Sequence, residues 1–188
     1  MKPVDLPKSY RLLNHGPTVL VTTAHGTRRN VMAAAWAMPI DFDPPKVAVV
    51  IDKNTYTREL IDASGVFTLN VPTASQIDLT HRVGTRSGRD CAGGDKFAEL
   101  GADALPGRAV DVPWVAGCVA WLEGRVLPEP DAANKHDLFI AEVLAAWADE
   151  DVFSAGRWHF DASTEDKRSI HHVAGGAFFL TGPLVEAS

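Results

Sequence analysis

The stretch from Pro17 to Thr57 restricts the fold more than any other part of the chain. It opens with Thr18-Val19-Leu20-Val21-Thr22-Thr23, a run rich in β-branched residues of the kind that suits a half-buried strand. His25-Gly26 supplies a turn, because glycine reaches positive φ without a Cβ clash. A second run, Asn30 to Met38, reads as the return strand. It contains three successive alanines, Ala33, Ala34 and Ala35. Small side chains fill a sheet surface poorly, so alanines at this place suit a backbone that something flat approaches closely. After Pro44-Pro45 the apolar run Lys46 to Ile51 has the length of a buried strand. It ends in the polar loop Asp52-Lys53-Asn54-Thr55-Tyr56-Thr57, rich in donors and set just ahead of a helix pattern. A flat apolar floor followed by an anion-binding loop fits a planar ligand with a phosphate tail.

At 188 residues, 46% hydrophobic and 22% charged, the chain reads as one domain, residues 1–188, with a sizeable core. No apolar run has the length of a membrane span and Met1-Lys2-Pro3-Val4-Asp5 has no signal-like character, so a cytoplasmic protein without membrane contact is expected. Cys91 and Cys118 form no CxxC motif and read as ordinary reduced thiols. The net charge of −6 argues against nucleic acid. Residues 1–96 hold 12 Lys/Arg against 9 Asp/Glu and residues 97–188 hold 6 against 15. The basic half is thus the half with the donor loop, which suits a small anion.

Residues 1–16, with Pro3 and Pro7, read as an irregular lead-in segment with one helical turn at Ser9–Leu13. Asn54–Ser64 has a helix pattern ending at Gly65, Val66–Val71 alternates as a strand, and Ser75–Val83 fits a second helix. Residues 84–96 hold too many glycines for regular structure, and Lys96–Gly101 gives a short helix with a glycine end. Long strands are expected over Gly117–Leu127 and His136–Ala148, separated by a turn at Pro128-Glu129-Pro130-Asp131. Ile170–Leu180 reads as a last β segment broken at Gly175-Gly176. Six or seven strands with short helices inserted, and no βαβ alternation, point to a mainly β antiparallel barrel with helical insertions. The G-x-G-x-x-G fingerprint, the phosphate loop of nucleotide triphosphatases and the G-x-S-x-G elbow are absent.

The ordered series Gly16-Pro17-Thr18-Val19, Asn30-Val31-Met32-Ala33-Ala34-Ala35-Trp36, Pro39-Ile40, Pro44-Pro45, Thr57-Arg58-Glu59-Leu60-Ile61, Ser64 to Pro72, Ser87-Gly88-Arg89-Asp90, Asp95-Lys96-Phe97 and His136-Asp137-Leu138 resembles the flavin reductase-like family. In that family the fold is an FMN-binding split barrel, and the flavoredoxin-type members are the most similar. The resemblance spans roughly residues 16–150. It implies FMN as cofactor and NADH or NADPH as co-substrate. It also implies a homodimer, and free flavin, an oxygenase partner or another acceptor as the destination of the electrons. An electron carrier reduced by a protein partner is the other function it implies.

Carried onto this chain, the resemblance places Asn30, Ala33, Ala34, Ala35 and Trp36 beside the isoalloxazine ring. There, aimed N–H donors stabilise charge on reduced flavin. Read alone, Trp36 equally suits a core aromatic and Asn30 a turn. Lys53, Asn54, Thr55 and Thr57 form the expected phosphate loop at a helix start, where Asn54 or Thr55 also serves as a cap. Ser87, Arg89 and Lys96 belong to the glycine-rich loop, lengthened by Cys91-Ala92-Gly93-Gly94. Lys96 is expected to neutralise phosphate or reduced flavin, or else to be a solvated loop lysine. His136 matches the histidine of the family's Gly-Asp-His segment, with Asn134-Lys135 in place of Gly-Asp, and is the expected catalytic residue unless it is structural. No pair of histidines has metal-ligand spacing.

Overall fold

The computed structural model describes residues 1–187. The strands are β1 (Val19–His25), β2 (Arg28–Ala34), β3 (Ala37–Phe42), β4 (Pro45–Val50), β5 (Val66–Val71), β6 (Ala120–Val126), β7 (Leu138–Ala148), β8 (Ile170–Ala174) and β9 (Ala177–Leu180). The helices are α1 (Tyr56–Ser64), α2 (Ile77–Thr85), α3 (Lys96–Leu100) and α4 (Pro130–His136). One antiparallel sheet runs in the order β2-β1-β5-β6-β7-β4-β3, and the two-residue strand Lys2–Pro3 pairs onto β7. Its two terminal strands, β2 and β3, are consecutive in the chain. Only Ala35 and Trp36 separate them, so the sheet curls until its ends meet without pairing.

Period-two patterning divides the side chains between two cores. Val19 and Val21 of β1 point inward with Val47, Val49, Phe67, Leu69, Leu122, Phe139 and Ala141. Leu20, between them, points outward, where it packs with Val31, Val83 of α2 and Phe97 of α3. The outer face of β2 is therefore covered by α2 and α3, and the candidate site lies along this contact. Gly84 of α2 comes so close that a Cβ there would sit 3.2 Å from that of Ala33. The alanine run is thus partly explained by helix packing: larger side chains would hold α2 off the sheet.

Several expectations are corrected. The single return strand Asn30–Met38 is two strands, β2 ending at Ala34 and β3 beginning at Ala37. The lead-in segment is more regular than its prolines imply. Lys2–Pro3 joins the sheet, and Pro7 sits in the first turn of a 3-10 helix, Leu6–Leu12, where a missing N–H is harmless. The expected turn at Pro128–Asp131 instead starts α4, with Pro130 and Asp131 in its first turn and Lys135 and His136 in its last. That arrangement complements the helix dipole at both ends. Asp137 closes α4 with φ 54°. Buried Arg58 of α1 donates to the Ala133 carbonyl (3.2 Å) and the Asp137 carboxylate (3.3 Å), fixing the helix end. His136 therefore ends a helix and does not open a strand.

Candidate functional site

Two adjoining clefts follow β2. One is floored by Ala33, Ala34 and Ala35, with Thr80, His81, Gly84 and Thr85 of α2 on one wall and Thr18, His172, Gly175 and Phe178 on the other. The second is lined by Asn30, Met32, Val83 and the segments Asn54–Thr57 and Gly84–Gly88, together with Lys96. Gly84 and Thr85 belong to both, so the clefts form one groove. Asn30 and Ala34 are four residues apart on β2, which at the usual strand rise separates the two ends by about 13 Å.

The second cleft is organised by the start of α1. Thr55 is the N-cap: its hydroxyl accepts from the Arg58 N–H (3.2 Å) and donates to the Asp52 carbonyl (2.8 Å). Its proton is thereby committed, and capping is its main work. Thr57 is different. Its Oγ accepts the Asn30 amide hydrogen (Nδ2 to Oγ1, 2.7 Å), which leaves the hydroxyl proton for a ligand. The first N–H groups of a helix have no partner within it, and they add positive potential at this point. Asn30 is buried, and its Oδ1 has no partner.

Lys96 opens α3, whose cap is the Asp95 carboxylate, and Asp95 is in turn ion-paired with Arg29. The lysine is only 2% exposed, and its Nζ donates to the Val83 carbonyl at 2.6 Å. Burial, with Arg86 nearby, pulls its pKa down to about 8. The inserted residues Cys91–Gly94 are absorbed in short 3-10 turns, with Gly93 and Gly94 at φ +67° and +69°. The longer loop therefore still delivers Lys96 to the cleft. Lys96 and Arg86 are the cations lining this cleft, and no carboxylate lines either cleft.

The expected residues divide accordingly. Asn30, Ala33, Ala34, Ala35, Asn54, Thr55, Thr57, Ser87 and Lys96 meet along the groove. Arg89 lines neither cleft. It braces the loop, donating to the Asn54 carbonyl at 2.6 Å and pairing with Glu59 at 3.6 Å. Lys53 is exposed in the loop and also lines neither cleft. Trp36 lies in the break between β2 and β3, 75% exposed. Its side chain is therefore neither a core aromatic nor part of either cleft. His136 is exposed at the end of α4 and lines neither cleft.

Sequence reasoning missed the α2 wall and the wall carrying His172 and Phe178. The first had a signal: Thr80, His81, Gly84 and Thr85 recur at helical spacing on one face. The second had none, because residues 172–178 reach the cleft only through tertiary structure. Among the described residues no three His, Cys, Asp or Glu side chains gather as a metal site.

A neutral, alanine-floored cleft that runs into a cationic one at a helix start, with a buried amide oxygen unpartnered between them, fits a flat ring carrying a phosphate. Residues 11–165 match the flavin reductase like domain family. This chain belongs to that family. An FMN-binding domain of a flavin reductases-like enzyme from Shewanella baltica superposes with TM-score 0.96 at 50% identity, covering 100% of this chain and 97% of that one. Flavoredoxin of Desulfovibrio vulgaris superposes with TM-score 0.78 at 28% identity, over 92% of this chain and 90% of that one. The reductase component of a 4-nitrophenol and 4-nitrocatechol monooxygenase from Rhodococcus opacus is 27% identical over 151 residues, 79% of this chain and 75% of that protein. The fold is thus the mainly β split barrel expected from the sequence, and its close structural neighbour binds FMN.

Proposed function

We propose that the chain is an FMN-dependent oxidoreductase that takes electrons from NADH or NADPH and passes them to free flavin or another acceptor, an oxygenase component among the candidates. The two-part groove carries this reading. Its cationic end, with Thr57, Lys96, Arg86 and the α1 N-terminus, would hold the phosphate, and Ala33–Ala35 would lie against the ring. FMN, when bound, supplies the hydride-accepting chemistry. The protein's own residues bind, orient and exclude water. Likeness to a monooxygenase reductase component supports an enzyme. Likeness to flavoredoxin supports the second reading, an electron carrier reduced by a protein partner. Anaerobic mixing of the FMN-loaded protein with NADH or NADPH separates the two. Bleaching of the flavin absorbance supports the enzyme, and an unchanged spectrum favours the carrier.

At the phosphate end, Thr57→Val removes a hydroxyl whose proton has no acceptor inside the protein. It is expected to weaken FMN binding by about 1–3 kcal/mol, the range for a hydrogen bond to a charged group. Equal FMN affinity by fluorescence titration of a folded variant would remove Thr57 from the site.

A homodimer belongs to the same proposal. Trp36, Met38, Ile40 and Phe42 are 75%, 57%, 41% and 63% exposed, and alternate residues of a strand share one face. An apolar edge strand left bare invites pairing or aggregation, and a second copy covers it. Met38→Lys with Ile40→Lys is expected to shift sedimentation from two chains to one while the fold survives. A wild-type protein of one-chain mass across the micromolar range would refute the dimer. Among the described residues no helix is long and apolar enough to cross a membrane.

A further inference from the structure

The walls of the alanine cleft carry polar groups that neither the fold nor the phosphate end uses. On α2 the Thr80 hydroxyl is buried without a partner, an arrangement that stays favourable only if something else completes it. Across the cleft His172 is held firmly. Its backbone N–H donates to Thr18 Oγ1 at 2.8 Å, and the ring of Phe178 stands edge-on, 5.3 Å away. The imidazole Nε2 lies 3.1 Å from the Gly175 carbonyl oxygen. A carbonyl only accepts, so Nε2 carries the proton and the neutral ring keeps its lone pair on Nδ1. Thr18 Oγ1, already accepting from His172, has its own proton left to donate. The walls therefore offer two hydroxyl donors and one imidazole acceptor, with no charged side chain among the lining residues.

A planar group with C=O beside N–H matches that set, whereas a carboxylate or a phosphate does not. The geometry points to these walls, through His172 Nδ1 and the Thr18 and Thr80 hydroxyls, as the recognition site for the carboxamide or imide edge of the second planar substrate that exchanges electrons with the cofactor. This rests on the FMN reading above. The shared chemistry has two sources, the carboxamide of a nicotinamide dinucleotide and the imide of a free flavin. His172 is a positioning and specificity residue here, and no bond to it is made or broken.

The test uses the full chain loaded with FMN and two probes: the redox-inert 1,4,5,6-tetrahydro analogue of NADH, and riboflavin. Binding is followed through the absorption of the bound flavin and by equilibrium dialysis. His172→Phe keeps the ring and its packing on Phe178 but removes Nδ1. Thr80→Val keeps the shape and removes an unpartnered hydroxyl, so it should melt no lower than wild type. Each variant is expected to keep its FMN affinity within about twofold and to lose about tenfold in affinity for one probe, the loss of one hydrogen bond. Loss confined to the NADH analogue assigns the walls to the nicotinamide, and loss confined to riboflavin assigns them to a second flavin. Unchanged affinity for both probes overturns the inference, as does failure of wild-type holoprotein to bind either. Weakened FMN binding in the variants also overturns it, because the walls then serve the cofactor. Failure of the wild type to hold FMN at all defeats the functional proposal itself.

Discussion

Gly88→Ala is expected to abolish useful FMN binding and to lower stability, although it adds a single methyl group. The added Cβ would overlap Asn30 Oδ1 and come within 2.5 Å of Tyr56 Cδ1. Neither neighbour can swing away. Asn30 is buried and bonded to Thr57, and Tyr56 is buried as the first residue of α1. Relief requires moving the loop away from the α1 start, which is the phosphate end of the groove. Overpacking of this kind costs about 1–3 kcal/mol in stability. Misplacing both Thr57 and the Ser87-Gly88 backbone should weaken FMN by about 100-fold, two hydrogen bonds' worth. Gly93→Ala is the control. Its φ of +67° strains a side chain but nothing lies within 4 Å, so it should lose about 1 kcal/mol of stability with FMN affinity unchanged. Thermal melts and flavin fluorescence titrations measure both quantities, and a Gly88→Ala variant that binds FMN like wild type would show that the loop moves freely.

Much of this fold is legible in the sequence because local and tertiary demands agree. Val66–Val71 alternates in polarity, is bounded by Gly65 and Pro72, and forms a strand over those residues. Gly65 and Gly101 close α1 and α3 in the left-handed conformation, as glycine after a helix pattern suggests. The failures have equally physical causes. Alanine, tryptophan and methionine are compatible with a continuous strand, and nothing local in Asn30–Met38 marks the break at Ala35-Trp36, which arises from the curling of the whole sheet. Pro128-Glu129-Pro130-Asp131 carries turn residues that are also helix-start residues, and Arg58, seventy-five positions from Ala133, decides between them. In the site, Asn30, the alanines, Thr57 and Lys96 were recognisable because they are close in sequence to strand ends and a helix start. His172 and Phe178 were not, since their place depends on β8 docking through the Thr18 N–H to Ile170 carbonyl bond at 2.8 Å.

Lys96→Met should make the ligand-free protein at least as stable as wild type while weakening FMN binding, a combination that a merely structural lysine would not give. The native pKa of about 8 lies below the usual 10.5, so the unfolded chain binds more protons between those values. Stability from this group therefore rises with pH through that window, and below pH 8 the buried cation is a standing penalty of roughly 3 kcal/mol. Methionine removes the penalty at similar length and loses the bond to the Val83 carbonyl, worth about 1 kcal/mol, so the melting temperature should hold or rise. A phosphate beside Nζ restores the charged form. FMN affinity of the wild type should accordingly fall as pH rises through about 8, while that of the methionine variant should be weaker by about 10–100-fold at pH 7 and flat across the same range. Isothermal titration in two buffers of different ionisation heat would register proton uptake on binding near pH 8 in the wild type alone. If the variant instead binds FMN with wild-type affinity and the same pH profile, Lys96 is a buried strut for the end of α2, and the positive charge at the phosphate comes from Arg86 and the α1 N-terminus.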